Sequence, residues 1–176
     1  DRYLSPDVTA SFLNLQLHGD GPDRVRITGA VGRPPPPTLK VSATYRAGFR
    51  AAGMLTIVGR DAIDKAHRCA AILRTRLDEA GATPRTWHVE CLGAGDAAPV
   101  ARREGVFETV LRITIEDDDR AKVERFSRMM MSLVTAGPQG VTGYAEGRPR
   151  VHEVFGYWPC LIARRRVAHH VSMLTS

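Results

Sequence analysis

The feature that most constrains this chain is a run of four prolines, Pro34-Pro35-Pro36-Pro37, feeding directly into Thr38-Leu39-Lys40-Val41-Ser42. Each proline fixes φ and removes a backbone donor, so the run is an extended, semi-rigid rod that no helix can include. The residues after the rod alternate. Leu39, Val41, Ala43 and Tyr45 fall on one side, and Lys40, Ser42, Thr44 and Arg46 on the other, which is the period of a half-buried strand. Residues 24–29 alternate too, with Val25 and Ile27 on one face. Strands flank the rod closely on both sides, so it reads as a rigid connector rather than as an exposed ligand for an SH3-type groove.

Beyond the first alternating stretch, Ala47-Gly48 offers a turn, and residues 52–58 read as the return strand of a hairpin. Ile63, Ala66, Ala70, Leu73 and Leu77 then form a helical stripe, with Asp61 as its N-cap, or Arg60 with Asp61 in the first turn, and Gly81 as its stop, predicting a helix near 61–80. Trp87, Val89 and Cys91 mark a strand over 86–92, and residues 93–104 a Gly- and Ala-rich loop. Thr109, Leu111, Ile113 and Ile115 mark a strand over 106–116. Asp117-Asp118-Asp119 caps a second helix predicted near 118–135, carrying Val123, Phe126, Met130 and Leu133. Met129 to Met131 are expected to place at least two of their side chains in the core. A closing strand is predicted over 150–167.

From residue 52 onward the order is βαββαβ. The expected fold is therefore α+β: a two-layer sandwich with a mainly antiparallel sheet and two helices on one face, in ferredoxin-like order preceded by extra strands. Residues 1–23 read as a linker or entry segment, with Val8, Phe12, Leu13, Leu15 and Leu17 suited to an entry helix or strand, leading into a single α+β domain over 24–176. A chain of 176 residues suits one such domain. It begins without Met or a signal pattern, and is expected to be a fragment of a longer protein.

Bulk charge narrows the partners. The net charge is +6, yet only 6% of residues are aromatic, and the one dense basic cluster is Arg164-Arg165-Arg166. Nucleic acid recognition asks for clustered cations interleaved with stacking rings, so no nucleic acid partner is expected. No apolar run approaches the roughly 20 residues of a membrane span, and no membrane partner is expected. Three widely spaced cysteines with no Cys-x-x-Cys pair give no zinc or redox motif. They suit reduced thiols in a cytoplasmic protein; no metal and no cofactor is expected.

The chemistry is sparser than the fold. His88 and Glu90 share a strand face two residues apart, as a base and its orienting group would. Gly137, Gly140 and Gly143 lie between a helix and a strand, where backbone N–H groups can cradle an anion. Lys40 and Arg46, beside the rigid prolines, can hold a phosphate or carboxylate. His152 and Glu153 are adjacent on a strand, so they point to opposite faces and form no dyad. No Gly-x-Ser-x-Gly elbow is present, and an esterase reading has no support.

The segment from Gly29 to Ser42, with Tyr45, Arg46, Gly48 and Gly59 after it, resembles the acyclic terpene utilisation (AtuA) family. The likeness continues through Leu73 and Leu77, Asp118-Asp119-Arg120-Ala121, Thr135-Ala136-Gly137-Pro138 and Glu153-Val154, in order along nearly the whole chain. Gln139, Val141, Thr142 and Gly93-Ala94-Gly95-Asp96 depart from the family pattern. The resemblance implies the later part of a main domain whose N-terminal region is similar to a dinucleotide fold. It also implies a role in catabolism of citronellol- and geraniol-type acyclic terpenes, a route through acyl-CoA thioesters. An acyl-CoA ligand, a homo-oligomer, and contact with an N-terminal region or separate subunit are the expected partners. The rival expectation is a non-catalytic structural or oligomerisation module. Whether the chain is an enzyme stays open at this point.

Overall fold

The computed structural model of the chain describes residues 2–97, 105–144, 147–168, 170, 172 and 173. Along them run β1 (Arg2–Leu4), β2 (Thr9–Ser11), β3 (Gln16–Gly19), β4 (Val25–Thr28), β5 (Val31–Arg33) and β6 (Thr38–Val58). Next come helix α1 (Ala62–Glu79), β7 (Thr86–Leu92), β8 (Glu108–Asp117), α2 (Arg120–Met130) and the one-turn α3 (Leu133–Ala136), then β9 (Val141–Gly143) and β10 (His152–Ala163). The chain divides into two compact units, Asp1–Thr44 with Tyr157–Ser176, and Tyr45–Gly156. The division runs through β6 and β10.

The larger unit is built on β6. It pairs antiparallel with β8 from Phe49↔Asp117 to Val58↔Glu108, and β8 pairs antiparallel with β7 from Thr86↔Glu116 to Leu92↔Val110. The sheet order is β10-β6-β8-β7, with β9 also pairing with β6 through Leu55↔Gly143 and Ile57↔Val141. Both α1 and α2 pack on β8 and on each other, which places them on the same face of this sheet.

Leu55 and Ile57 of β6, Leu111, Ile113 and Ile115 of β8, Leu73 and Leu77 of α1, and Val123, Phe126 and Met130 of α2 are all fully buried. Each such apolar side chain contributes about 1.5–3 kcal/mol relative to exposure. The Trp87 ring of β7 meets Phe126 edge-on, at 6.2 Å and 88°. Of the three methionines, Met130 is fully buried and Met129 packs against the core.

The observed fold is α+β with mainly antiparallel strands, but the strands of the described residues lie in three sheets. The extra N-terminal strands do not extend the large sheet: β1-β2-β5 form one small sheet and β3-β4 another. The hairpin predicted at Ala47-Gly48 is instead a single strand of 21 residues. Gly48 is used for close approach rather than reversal. Its φ is +98°, and a Cβ there would lie 2.7 Å from the Asp117 carbonyl oxygen, a position only glycine fills without strain.

Helix α1 ends as its sequence requires. Gly81 is left-handed, the Ala82 N–H reaches the Leu77 carbonyl and the Gly81 N–H the Asp78 carbonyl, the paired bonds of a Schellman cap. Its start falls at Asp61, as expected. Asp61 occupies the N-cap position with φ 56°, and its side chain makes no capping bond. The second helix is shorter than predicted. Ser132 places both its N–H and its Oγ on the Met129 carbonyl, and competing bonds of this kind interrupt a helix.

In the smaller unit, carbonyls of the proline rod find a partner in Arg164. Its backbone N–H donates to the Pro37 carbonyl at 3.0 Å and its Nε to the Pro36 carbonyl at 3.2 Å, while a terminal guanidinium nitrogen donates to the Pro6 carbonyl. A polyproline rod has no internal hydrogen bonds, so one arginine of the basic cluster is committed to structure. The described residues of the entry segment 1–23 carry β1, β2 and β3. The β3-β4 hairpin pairs Leu17 with Ile27 and Gly19 with Val25. Its expected half-buried face is open: Val25 is 66% and Ile27 61% exposed.

Candidate functional site

Three groups of side chains in the larger unit carry the candidate chemistry. The first is on β7 and β8. Arg112 lies across from Glu90 and sends both Nε and a terminal nitrogen to Glu90 Oε2, each at 2.5 Å. His88 Nε2 sits 3.5 Å from that same oxygen. The predicted His88–Glu90 pair therefore exists, but Arg112, which the sequence pattern does not mark, joins it. The arginine holds the carboxylate, whose side chain is 12% exposed, while the imidazole is 63% exposed. Glu90 is better matched as the counter-ion of Arg112 than as the orienting group of a base. Among the described residues no group of three or more His, Cys, Asp or Glu side chains is arranged to hold a metal ion.

The second group surrounds a cleft of about 420 Å³ between the 147–152 segment and β6. The turn is tied down from below, where Ser127 Oγ of α2 donates to the Pro149 carbonyl at 2.5 Å. Pro149 is buried, while Arg148, Arg150 and His152 are exposed around it. Ala52, Gly53 and Met54 make the floor. Gly53 permits this approach: a Cβ there would come within 2.7 Å of the Pro149 ring and closer still to the Met130 sulfur. Among the described residues, neither Arg148 nor Arg150 forms an ion pair. The alternation and turn patterns read above do not mark Arg148 or Arg150. A signal for them exists, as Arg148, Arg150 and His152 recur every second residue.

The third group lines a smaller cleft of about 280 Å³, with Arg46, Gly48, Phe49, Asp118 and Glu153 on its walls. Arg46, expected to be an anion contact, shares this cleft with two carboxylates. One of them, Asp118, already accepts from Arg85 at 2.9 and 3.0 Å. His152 lines the 147–152 cleft and Glu153 this one, and both line a further cleft beside Arg50 and Phe155.

The glycine loop is largely accounted for by packing. A Cβ on Gly140 would collide with the Val58 carbonyl oxygen, and one on Gly137 with the Leu133 carbonyl oxygen. The Val58 N–H donates to the Gly140 carbonyl at 2.9 Å, so Gly140 joins the loop to β6. Gly143 is the open position of the three, with nothing within 4 Å of where a Cβ would stand. Lys40 belongs to the smaller unit, where its Nζ lies 5.6 Å from the centroid of the Tyr157 ring.

An acidic hub holds these elements in place. Asp117, at the end of β8, accepts from the backbone N–H of Asp119 at 2.8 Å and of Arg85 at 2.9 Å, and from Lys122 Nζ at 3.4 Å. Burial pushes its carboxyl upward, but the two N–H groups and Lys122 outweigh that, and its pKa falls below the ordinary 3.8. Asp119 then caps α2 by accepting from the Ala121 N–H.

These elements make an α+β protein with one arginine-flanked surface cleft and a second of mixed charge in the larger unit. Over residues 1–173 the sequence matches the acyclic terpene utilisation family protein AtuA. The chain belongs to the acyclic terpene utilisation family. No curated protein and no solved structure matches it. Among the described residues no helix is long and apolar enough to cross a membrane.

Proposed function

We propose that this chain handles a branched acyl-CoA thioester in the catabolism of citronellol- or geraniol-type acyclic terpenes. The observation that carries this reading is the cleft at 147–152. Arg148 and Arg150 offer positive charge, and His152 a polar ring, beside an apolar floor of Ala52, Met54 and Pro149. A CoA thioester has both chemistries, with phosphates for guanidinium groups and a branched hydrocarbon for the floor. Arg46 and the backbone near Gly143, in the same unit, are further contacts in this reading. The four long strands with α1 and α2 are read as a ferredoxin-like unit, an arrangement that leaves the chemistry to its clefts. The test is isothermal titration of citronellyl-CoA into the full chain and into Arg148→Ala/Arg150→Ala. Loss of two charge-assisted contacts at about 1.5–3 kcal/mol each predicts a Kd weaker by about a hundredfold or more. Equal affinity in the double variant, or no binding by either, refutes the reading.

A second reading, a structural or oligomerisation module that completes a larger protein, is supported by a different observation. Leu13, Leu17, Val25, Ile27 and Leu161 of the smaller unit are 61–71% exposed. Apolar surface on this scale is a feature of interfaces. Its partner would be a second copy, a separate subunit or the N-terminal region of the same protein. Light scattering of Leu17→Ser/Ile27→Ser tests it, and unchanged mass on a wild-type oligomer counts against the hairpin.

A further inference from the structure

Outside the clefts, one cluster in the smaller unit brings reactive groups together. Tyr157 Oη of β10 lies 3.1 Å from Ser42 Oγ of β6. Lys40, two residues before Ser42 and so on the same strand face, places its Nζ 5.6 Å from the Tyr157 ring centroid. Ser42 and Tyr157 are 115 residues apart in sequence, and the hydrogen bond between them is exposed. We propose that Tyr157, Ser42 and Lys40 form a proton-transfer site for a ligand with a hydrogen on the carbon next to a carbonyl.

The chemistry follows from the arrangement. A phenolate at Tyr157 is held by the Ser42 hydroxyl, which donates to it, and by the Lys40 ammonium beside it. Both neighbours favour the charged form, the Ser42 hydrogen bond most and Lys40 next; slight desolvation and the Cys160 thiol oppose them, and the net result is a phenol pKa below the ordinary 10.0. The phenolate takes the α-proton: the C–H bond breaks, an O–H bond forms at Oη, and the electron pair moves to the carbonyl oxygen as an enolate. Lys40 is the cation available to that oxygen. Returning the proton to carbon restores both ligand and phenolate, so the cycle needs no other reactant. The substrate class is a thioester or ketone with an acidic α-hydrogen. The site shares no residue with the Arg148–Arg150 cleft, and it stands whether or not that cleft binds CoA.

The test uses the phenylacetyl thioester of N-acetylcysteamine, which carries no nucleotide, in deuterated buffer, with the full chain. Proton NMR follows exchange of the α-hydrogens. The wild-type protein should exchange them at least tenfold faster than Tyr157→Phe or Lys40→Met. Ser42→Ala should show an intermediate rate with its pH midpoint moved upward. Tyrosine absorbance titration gives a second readout: one of the four tyrosines should ionise before the others, and that early step should vanish in Tyr157→Phe and move upward in Lys40→Met. Circular dichroism should be unchanged, because the phenol is exposed. Equal exchange rates in the wild-type protein and Tyr157→Phe, or an early ionisation that survives in Tyr157→Phe, overturn the proposal.

Discussion

Replacing Asp117 by Ala should be the most revealing single change in the larger unit. Its carboxylate joins the end of β8 to the backbone of Arg85 and to the opening of α2 through Asp119, at 2.9 and 2.8 Å, with Lys122 at 3.4 Å. The side chain is 8% exposed, so solvent screens little of this. Alanine leaves two backbone N–H groups without acceptors. An unmet buried donor costs about 1–3 kcal/mol. Both hydrogen bonds are only part-buried, which favours the low end and gives roughly 2–3 kcal/mol in total.

Urea unfolding followed by Trp fluorescence and circular dichroism would read this as a lower midpoint at unchanged slope. Asn should lose less, because one oxygen can still accept. The pH dependence has a defined sign. A carboxyl whose folded pKa is depressed stabilises above its ordinary value of 3.8, and that contribution is lost as pH falls through the lower folded value. Wild-type stability should therefore drop below about pH 4, and Asp117→Asn should flatten that drop. A loss under about 0.5 kcal/mol in Asp117→Ala, half the least cost of one unmet donor, with an unchanged acid profile, would refute this account of the hub.

Two shorter predictions concern the glycine loop and the thiols. Gly140→Val should destabilise the protein by about 2–4 kcal/mol in denaturant melts, combining backbone strain with overpacking, because φ is +92° and Val58 leaves no room. A variant that folds as well as wild type but loses ligand affinity would return the loop to an anion-binding role. With a thiol-reactive chromogen under native conditions, Cys160 should react at once, while Cys69 and Cys91 wait for unfolding. Cys160 is exposed, the other two are buried, and burial pushes the Cys69 thiol upward; rapid release of more than one equivalent contradicts this.

Elements whose burial is periodic were legible in the chain alone. Helix α1 comes from a stripe at helical spacing and a glycine stop. Strands β7 and β8 come from alternation, and Asp119 reads as a cap because short acidic side chains bond the first free N–H groups of a helix. Family membership was legible too, carried by the proline-to-strand segment and the Asp118-Asp119-Arg120-Ala121 start. Folding settled whatever depends on distant neighbours. Ala47-Gly48 looks like a turn locally, yet β8 pairs along the strand beyond it and brings the Asp117 backbone against Gly48, so the strand runs straight through. Val25 and Ile27 alternate as a buried face would, but among the described residues their strand pairs with one other short strand, and both stay exposed. Alternation places His88 and Glu90 on one face correctly, while the group that claims Glu90 comes from β8, 22 residues away. Alternation tells a strand which side chains share a face; which charge or hydroxyl meets them across the sheet is set by register, and register belongs to the folded chain.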